Sequence, residues 1–315
     1  MIINDFLVIE DKGLYCRKGD FYLDPAKPST HAIISHAHGD HATKGNENVY
    51  STPPTEAIMK HRYQKNAARN FLIYSYNQPF ALNGVIITFI PAGHIIGSAQ
   101  VLMEYEGIRY LYTGDYKLQD DPTCENIEFV KADVLITETT FADPSIHHPD
   151  PVEEIKKLNS FNHNVLLGAY SLGKAQRLIS LITEHCPLRS VFVHHSIFPL
   201  NKIYESFGYK IGKYELYTRK VMKQPDKNFI YIVPPLTFDS YIRAKNVVRA
   251  FASGWKRLQV SNGLHLMISD HVDWNDILIM IDRVSPKEVW TLHGDGKYLK
   301  EHFRNRIPIK LLNTC

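Results

Sequence analysis

Three histidines and an aspartate occupy positions 36–41 of this chain in the pattern His36-x-His38-x-Asp40-His41. The apolar residues 31–34 just before them favour a short strand, and a helix is predicted to begin near Asp40. Four such groups buried without partners would carry a large desolvation cost. Their density therefore indicates ligands rather than ordinary buried polar residues.

The spacing of the cluster suggests two ligand sets. Side chains at positions 36 and 38 point to the same side of an extended backbone, whereas Asp40 and His41 turn away into the next element. Imidazole and carboxylate groups with no cysteine nearby are ligands of zinc or manganese in hydrolytic sites. The sequence therefore predicts two neighbouring divalent ions, Zn2+ or Mn2+, as cofactors.

The composition is that of a globular enzyme. Of 315 residues, 44% are hydrophobic and 22% are charged. The first residues lack the features of a signal peptide, and no apolar run approaches the about 18 residues of a membrane span. The four cysteines lack CxxC spacing, which argues against a zinc ribbon or a disulfide framework. These features predict a cytoplasmic enzyme without membrane contact.

Charge is spread unevenly along the chain. Residues 146–261 contain 17 Lys and Arg against 8 Asp and Glu, a surplus of nine; because the whole chain carries +3, the remainder carries −6. A basic middle segment between acidic segments favours a cationic wall that faces a polyanion. Solvated lysines would give the same count.

Several apolar strands each end in one ionisable residue. Segments 85–90, 108–113 and 133–137 lead into His94, Asp115 and Glu138, and segments 264–269 and 287–292 lead into His271 and His293. An α/β scaffold places site residues in this way, so a site shared with the histidine cluster is predicted. Asp24 either orients a liganding histidine or only begins a turn before Pro25.

From about residue 151, helices and strands alternate, which predicts a parallel sheet in a second domain. Because the chain begins and ends in the same architecture, the middle domain is interpreted as an insertion. The predicted domain has a first part at residues 1–145 and a last part at 262–315, and the inserted domain spans residues 146–261. A strand there enters Ser171-Leu172-Gly173-Lys174 and then Arg177 at a helix start. Ser171, Lys174 and Arg177 are predicted to bind a substrate phosphate.

These motifs resemble the metallo-β-lactamase superfamily, specifically its β-CASP branch of nucleic-acid-processing nucleases. Further stretches are similar to the bacterial DNA-ligase-associated exonuclease family, whose members also carry the name of messenger-RNA 3′-end processing factors. These stretches are residues 13–16, 91–100, 114–118, 172–177 and 252–255. The resemblance spans nearly the whole chain.

The resemblance implies a four-layer αββα metallo-β-lactamase fold with an inserted β-CASP domain. It implies that one metal ion takes His36, His38 and His94, that the other takes Asp40, His41 and His293, and that Asp115 bridges them. It also implies that His271 is the general acid for the leaving oxygen and is held by Glu138. Asp40 and Asp24 complete the expected catalytic set.

Three functions remain open at this point. The first is a metal-dependent DNA exonuclease of a repair pathway, acting on single-stranded or end-containing DNA in functional association with DNA ligase and helicase. The second is a β-CASP ribonuclease, which is favoured because RNA enzymes of the branch have histidine at the position of His293. The third is a small-substrate metallohydrolase or an inactive scaffold. Two departures from the family's pattern concern only how the inserted domain binds a strand. Residues 141–144 stand in place of the usual Phe-Gly-Leu-Pro, and Lys256 stands in place of another usual residue.

Overall fold

The computed structural model describes residues 2–160, 162–218, 220, 228–242, 247–259 and 262–312. The chain divides into two compact units, which are treated separately below. Unit 1 consists of Met1–Asp120, Cys124–His147 and His271–Cys315, and unit 2 consists of Asp121–Thr123 and His148–Asp270. The cations Arg219, Lys223, Lys227, Arg243 and Lys245 of the predicted basic segment, and Ser261 at its predicted end, lie outside the described residues.

The first sheet of unit 1 contains six strands in chain order. They are β1 (Leu7–Glu10), β2 (Gly13–Cys16), β3 (Phe21–Leu23), β4 (His31–Ile33), β5 (Asn46–Ser51) and β6 (Ala68–Ile73). The first three strands form an antiparallel arm, whereas β3 to β6 are parallel neighbours. Helix α1 (Pro53–Tyr63) and a 3-10 turn at Gln64–Asn66 connect β5 to β6.

The second sheet of unit 1 draws on both ends of the chain. Its strands are β7 (Phe80–Leu82), β8 (Val85–Pro91), β9 (Ala99–Tyr105), β10 (Ile108–Tyr112), β11 (Val134–Glu138), β18 (Glu288–Leu292) and β19 (Ile309–Leu311). Their order is β19-β18-β11-β10-β9-β8-β7. The pairings of β10 with β11 and of β11 with β18 are parallel, so segments about 150 residues apart in sequence form one sheet.

The alternation of side chains between the two faces of a strand explains how the layers of unit 1 stack. Val134 and Ile136 of β11 face a core shared by both sheets, whereas Leu135 packs against α6 (Trp274–Val284) and α7 (Lys297–His302). Successive residues of a strand point to opposite faces, so both faces of the second sheet are buried. Met59 of α1 covers the outer face of the first sheet. The order helix, sheet, sheet, helix confirms the predicted αββα layers.

Unit 2 is built on a parallel sheet of six described strands. They are β12 (Asn164–Gly168), β13 (Ser190–Val193), β14 (Glu215–Leu216), β15 (Phe229–Val233), β16 (Val247–Ala252) and β17 (Leu264–Leu266), in the order β14-β13-β15-β12-β16-β17. Its helices are α2 (Pro151–Lys156), α3 (Lys174–His185), α4 (Phe198–Ser206) and α5 (Pro235–Ser240). The predicted parallel sheet is therefore present.

The division between the units differs from the predicted segment limits at the second boundary. Residues 262–270 belong to unit 2 because β17 pairs with β16 there. The assignment of the three segments to named domains stays a prediction. Along the described stretches of the chain, no helix has the length and apolar character needed to cross a membrane.

The helix predicted near Asp40 is absent, and a turn stands in its place. The backbone N–H groups of His41 and Ala42 both donate to the carbonyl oxygen of His38, at 3.1 and 2.7 Å, and regular structure resumes only at β5. The turn returns the chain towards the start of β5, which pairs with β4. The connection over residues 34–45 is therefore made by turns and bends and contains no helix.

Replacing Leu135 by alanine tests the layer assignment. Leu135 is fully buried, and its truncation should cost about 2–5 kcal/mol of unfolding free energy because a cavity remains between the sheet and its covering helices. The matched change at Ile86, a strand residue that is 47% exposed, should cost less than about 1 kcal/mol. Urea denaturation measures both, and equal losses would contradict the assignment.

Candidate metal centre

The direction of the strands brings the candidate metal ligands of unit 1 together. His94 follows β8, Asp115 follows β10, Glu138 ends β11 and His293 follows β18. Strand β8 runs parallel to β10 because both are antiparallel to β9. The carboxyl ends of parallel strands lie at one edge of a sheet, so these four residues emerge at the same edge. The loop after β4 brings His36, His38 and His41 to them from the first sheet.

Three imidazole nitrogens converge at the first candidate site. Nε2 of His36 and Nε2 of His94 each lie 3.1 Å from Nδ1 of His38, and Oδ2 of Asp115 lies 3.6 Å from Nε2 of His36. A tetrahedral zinc ion, with Zn–N distances of about 2.0–2.1 Å, holds its nitrogens about 3.3 Å apart. His36, His38, His94 and Asp115 therefore form a donor set of the right kind and spacing for one cation.

The second candidate site is more open. Nε2 of His41 lies 3.4 Å from Oδ2 of Asp115 and 4.0 Å from Oδ2 of Asp40, and its ring centroid lies 5.4 Å from that of His293. The Asp40 side chain is 81% exposed, and His293 is also exposed. The structure thus brings Asp40 and His293 near His41 but does not place them in a converged cluster, and their ligand role stays a prediction.

Asp24 supports the histidine loop. Its carboxylate accepts hydrogen bonds from the backbone N–H of Ser35 at 2.7 Å and the Tyr112 hydroxyl at 2.9 Å, and it lies 2.8 Å from Nδ1 of His41. This contact leaves Nε2 of His41 directed at Asp115, which is the orienting geometry that the sequence suggested for Asp24. The role of Asp24 in orienting a metal ligand stays a prediction.

His271 and Glu138 form a pair beside the first site. Nδ1 of His271 lies 3.0 Å from Oε2 of Glu138 and 3.8 Å from Oδ2 of Asp115. Glu138 is itself fixed, because it accepts hydrogen bonds from the Tyr116 backbone N–H at 3.2 Å and from the Thr140 hydroxyl at 2.7 Å. The carboxylate can therefore orient the imidazole and stabilise its protonated form.

The electrostatics of the centre differ from one candidate ligand to the next. Burial lowers the pKa of His36 well below its usual value, with the charge of His41 adding to the effect. Burial would also lower the pKa of His41, but the carboxylates of Asp115 and Asp24 outweigh it and raise that pKa well above its usual value. Asp115 has a pKa held well below its usual range because His41 and His271 outweigh the effect of its burial. These shifts keep His36 neutral, as a metal ligand must be, and keep Asp115 in its charged form.

Two glycines allow the ligands to approach closely. Gly93 and Gly114 precede His94 and Asp115 and have positive φ values of 73° and 55°. A Cβ at Gly93 would lie 2.6 Å from the carbonyl oxygen of Lys117, and one at Gly114 would lie 2.8 Å from the hydroxyl oxygen of Ser35. Both positions combine a left-handed backbone with tight contact, so only glycine fits them without strain.

Two basic residues that the sequence did not mark as functional also hold the centre. Arg62 donates from Nη1 to the carbonyl oxygen of Ala37 at 2.6 Å. Lys117 is buried and donates from Nζ to the carbonyl oxygen of His94 at 3.2 Å. Each bond joins positions more than 20 residues apart in sequence, so no local pattern predicts it.

The predicted phosphate-binding residues need correction. Lys174 is buried, donates to the carbonyl oxygen of Ile268 at 2.6 Å and lies 3.1 Å from Asp270. Arg177 is 1% exposed and lies 3.1 Å from the same carboxylate. Both cations are occupied inside unit 2, which argues against a phosphate contact. Ser171 is partly exposed, and its role stays a prediction.

No protein-family model matches this chain. A protein named Probable DNA ligase from Opitutus terrae is 30% identical over 312 residues, covering 93% of this chain and 30% of that protein. Endoribonuclease ysh-1 from Neurospora crassa is 30% identical over 194 residues, covering 49% and 23%. Cleavage and polyadenylation specificity factor subunit 3 from Dictyostelium discoideum is 31% identical over 192 residues, covering 49% and 24%. The chain thus spans under a third of the length of these relatives.

A crystal structure of a protein of unknown function from Enterococcus faecalis V583 has a similar fold. Its TM-score is 0.61 at 14% sequence identity, covering 90% of this chain and 79% of that one. The αββα layers and the histidine-rich centre at the strand ends define a metallo-β-lactamase fold. The sequence relatives support the branch suggested by the sequence, the β-CASP branch of the metallo-β-lactamase superfamily.

Changing Asp24 to asparagine tests its supporting role. The variant should bind zinc about 10–100-fold more weakly, because the carboxylate that orients and polarises His41 is lost. Asp11→Asn changes an exposed carboxylate of the same unit and should leave zinc affinity unaltered. Competition with a chromogenic chelator measures both proteins, and matching affinities would show that Asp24 has only a structural role.

Proposed function

We propose that the protein is a metal-dependent nuclease that hydrolyses phosphodiester bonds. The observation that carries this proposal is the converged cluster of His36, His38, His94 and Asp115, with the His271–Glu138 pair beside it. Cation ligands next to a potential proton donor suit the hydrolysis of an ester whose leaving oxygen needs a proton. The names of the relatives, which include endoribonucleases, support the same class of reaction.

The ligands are proposed as the sequence indicated. His36, His38 and His94 would hold one divalent ion, and Asp40, His41 and His293 the other, with Asp115 between them; Zn2+ and Mn2+ both suit this donor set. Two such ions, when bound, lower the pKa of a water molecule and stabilise charge on the phosphoryl oxygens. Asp24 keeps the Nε2 atom of His41 directed at the centre.

His271 is proposed as the general acid. Glu138 lies against its Nδ1 atom and stabilises the imidazolium, in which Nε2 also carries a proton. A histidine in this state can give a proton to a leaving oxygen near neutral pH. Glu138 then acts as a positioning residue, because its own contacts to Tyr116 and Thr140 fix the direction of the imidazole.

DNA is the proposed substrate, and RNA is the alternative. The match over 93% of this chain lies within a protein named Probable DNA ligase, which supports a DNA exonuclease in repair and a functional link to a ligase. The relatives named endoribonucleases, together with His293 near His41, favour RNA. The link to a helicase and the cytoplasmic location stay predictions from the sequence.

Digestion of matched end-labelled single-stranded DNA and RNA tests the proposal. The chelator-treated protein should be inactive, and Mn2+ or Zn2+ should restore stepwise shortening of DNA. The Asp115→Asn variant should lose at least about a hundredfold in rate, because the bridging carboxylate is lost. Cleavage of RNA alone would establish the ribonuclease, and cleavage of neither would refute the nuclease.

The His271→Ala variant separates proton donation from metal binding. We expect about a 10²–10⁴-fold loss in kcat, the usual contribution of a general acid, with metal content unchanged. A substrate with a good leaving group, such as a 4-nitrophenyl phosphodiester, should recover most of the rate because it needs no proton. His265→Ala, an exposed histidine of the other unit, is the control. An equal loss on both substrates would contradict the assignment.

A further inference from the structure

A basic groove lies on unit 1 away from the candidate metal centre. Its volume is about 880 Å³, and four connecting segments line it: the β1–β2 turn, residues 28–30, residues 44–47 and residues 65–69. It carries the cations Lys12, Lys44, Lys65 and Arg69 and a single carboxylate, Glu47. A groove with four cations and one acid has a strongly positive potential.

Most of this positive charge is not neutralised by the protein. Arg69 lies 3.4 Å from Glu47, and Lys12 lies over the Tyr22 ring at 5.7 Å. Lys44 and Lys65 are exposed and, among the residues that the structure describes, form no ion pair. Like charges held together without counter-charges repel one another, and an anionic ligand would relieve that repulsion.

The groove and the metal centre lie at opposite ends of the same strands. Thr30, Asn46 and Ala68, at or just before the amino ends of β4, β5 and β6, line the groove, and these strands are parallel. His36 follows the carboxyl end of β4. Ser35 follows Thr30 by five residues, which is at most about 18 Å of extended chain. Lys44 follows His41 by three residues, which is at most about 11 Å.

The size and chemistry of the groove fit a polymeric anion. Single phosphate groups need far less than the groove's volume, and exposed neutral donors such as Thr30 and Asn66 stand among the cations. Mixed hydroxyl, amide and ammonium groups are those that contact nucleic-acid backbones. A duplex advances about 3.4 Å per nucleotide, so at most about five nucleotides span the distance to the metal centre.

We propose that this groove binds the sugar-phosphate backbone of a nucleic acid within about five nucleotides of the scissile bond. The proposal rests on the proposed nuclease function and adds a second contact to it, outside the centre that performs the chemistry. Such a contact prolongs the residence of long substrates and contributes nothing to very short ones. Lys44 and Lys65 contribute most, because their charges are exposed and unpaired.

The double variant Lys44→Glu/Lys65→Glu tests the groove. Binding is measured first, in chelator, with an uncut 30-nucleotide single strand and a duplex of equal length. We expect about tenfold weaker binding at 0.1 M salt and a salt dependence, log K against log[salt], that is lower by about 1.4 for the single strand and about 1.8 for the duplex. Lys44→Gln/Lys65→Gln should show a smaller change in the same direction.

Lys18→Glu/Lys131→Glu is the matched control. These two lysines of unit 1 are exposed, lie outside the groove and give the same change in net charge. Equal weakening by both double variants would overturn the proposal, since overall charge would then explain the effect. Unchanged binding of the long substrates by the groove variant would overturn it as well.

Turnover of bis(4-nitrophenyl) phosphate separates this proposal from the proposed function. This phosphodiester has no backbone that could reach the groove, so the groove variant should cleave it within twofold of the wild-type rate. If the wild-type protein cleaves no phosphodiester but its binding of nucleic acid still depends on Lys44 and Lys65, the proposed groove is supported and the proposed nuclease function is refuted. If the wild-type protein cleaves DNA and the groove variant binds nucleic acid normally, the proposed nuclease function is supported and the proposed groove is refuted.

Discussion

The structure of unit 1 depends on one buried carboxylate. Asp115 is 5% exposed, and its Oδ2 atom lies between 3.4 and 3.9 Å from nitrogens of four imidazoles. A carboxylate removed from water is stable only where positive charge compensates it. The four histidines belong to three separate segments of the chain, so this requirement holds the loops of both sheets together.

The backbone around the centre carries strain that the surrounding packing must support. Asp24 and His293 both adopt positive φ angles, 44° and 53°, which non-glycine residues rarely adopt. Such conformations cost about 1–3 kcal/mol each and persist where neighbours determine them. Asp24 is held by its three hydrogen-bonding partners, and His293 is followed by Gly294, whose Cβ position would lie 2.3 Å from the Thr139 carbonyl oxygen.

The sequence predicted the parts of the site that follow from strand direction. Where an apolar strand ends in one ionisable residue, that residue is predicted to lie at the edge of a sheet. His94, Asp115 and Glu138 all lie there. The prediction of a helix near Asp40 was wrong, because the backbone N–H groups of His41 and Ala42 both donate to the carbonyl oxygen of His38 and close a turn there. Arg62 and Lys117 were missed because their partners are backbone carbonyl groups, which exist at every position and leave no mark in a sequence.

Lys174 and Arg177 show why a motif of cations is ambiguous. A strand followed by Ser-x-Gly-Lys presents the same residues whether the cations reach outward to a phosphate or inward to a carboxylate. Here Asp270, almost 100 residues later, takes both of them. Since a buried carboxylate and a bound phosphate require the same partners, only the tertiary structure distinguishes the two.

The basic groove illustrates the opposite failure, in which charge counting overlooks a site. The surplus of cations along the sequence lies in residues 146–261, and the rest of the chain is net negative. The four cations of the groove nevertheless come from that acidic remainder. Lys12 and Lys44 lie in separate segments of unit 1, and Lys65 and Arg69 lie together in a third. A phosphate responds to the charges within about one Debye length, roughly 8–10 Å. The local arrangement that folding creates, and not the average over a segment, therefore determines where a polyanion binds.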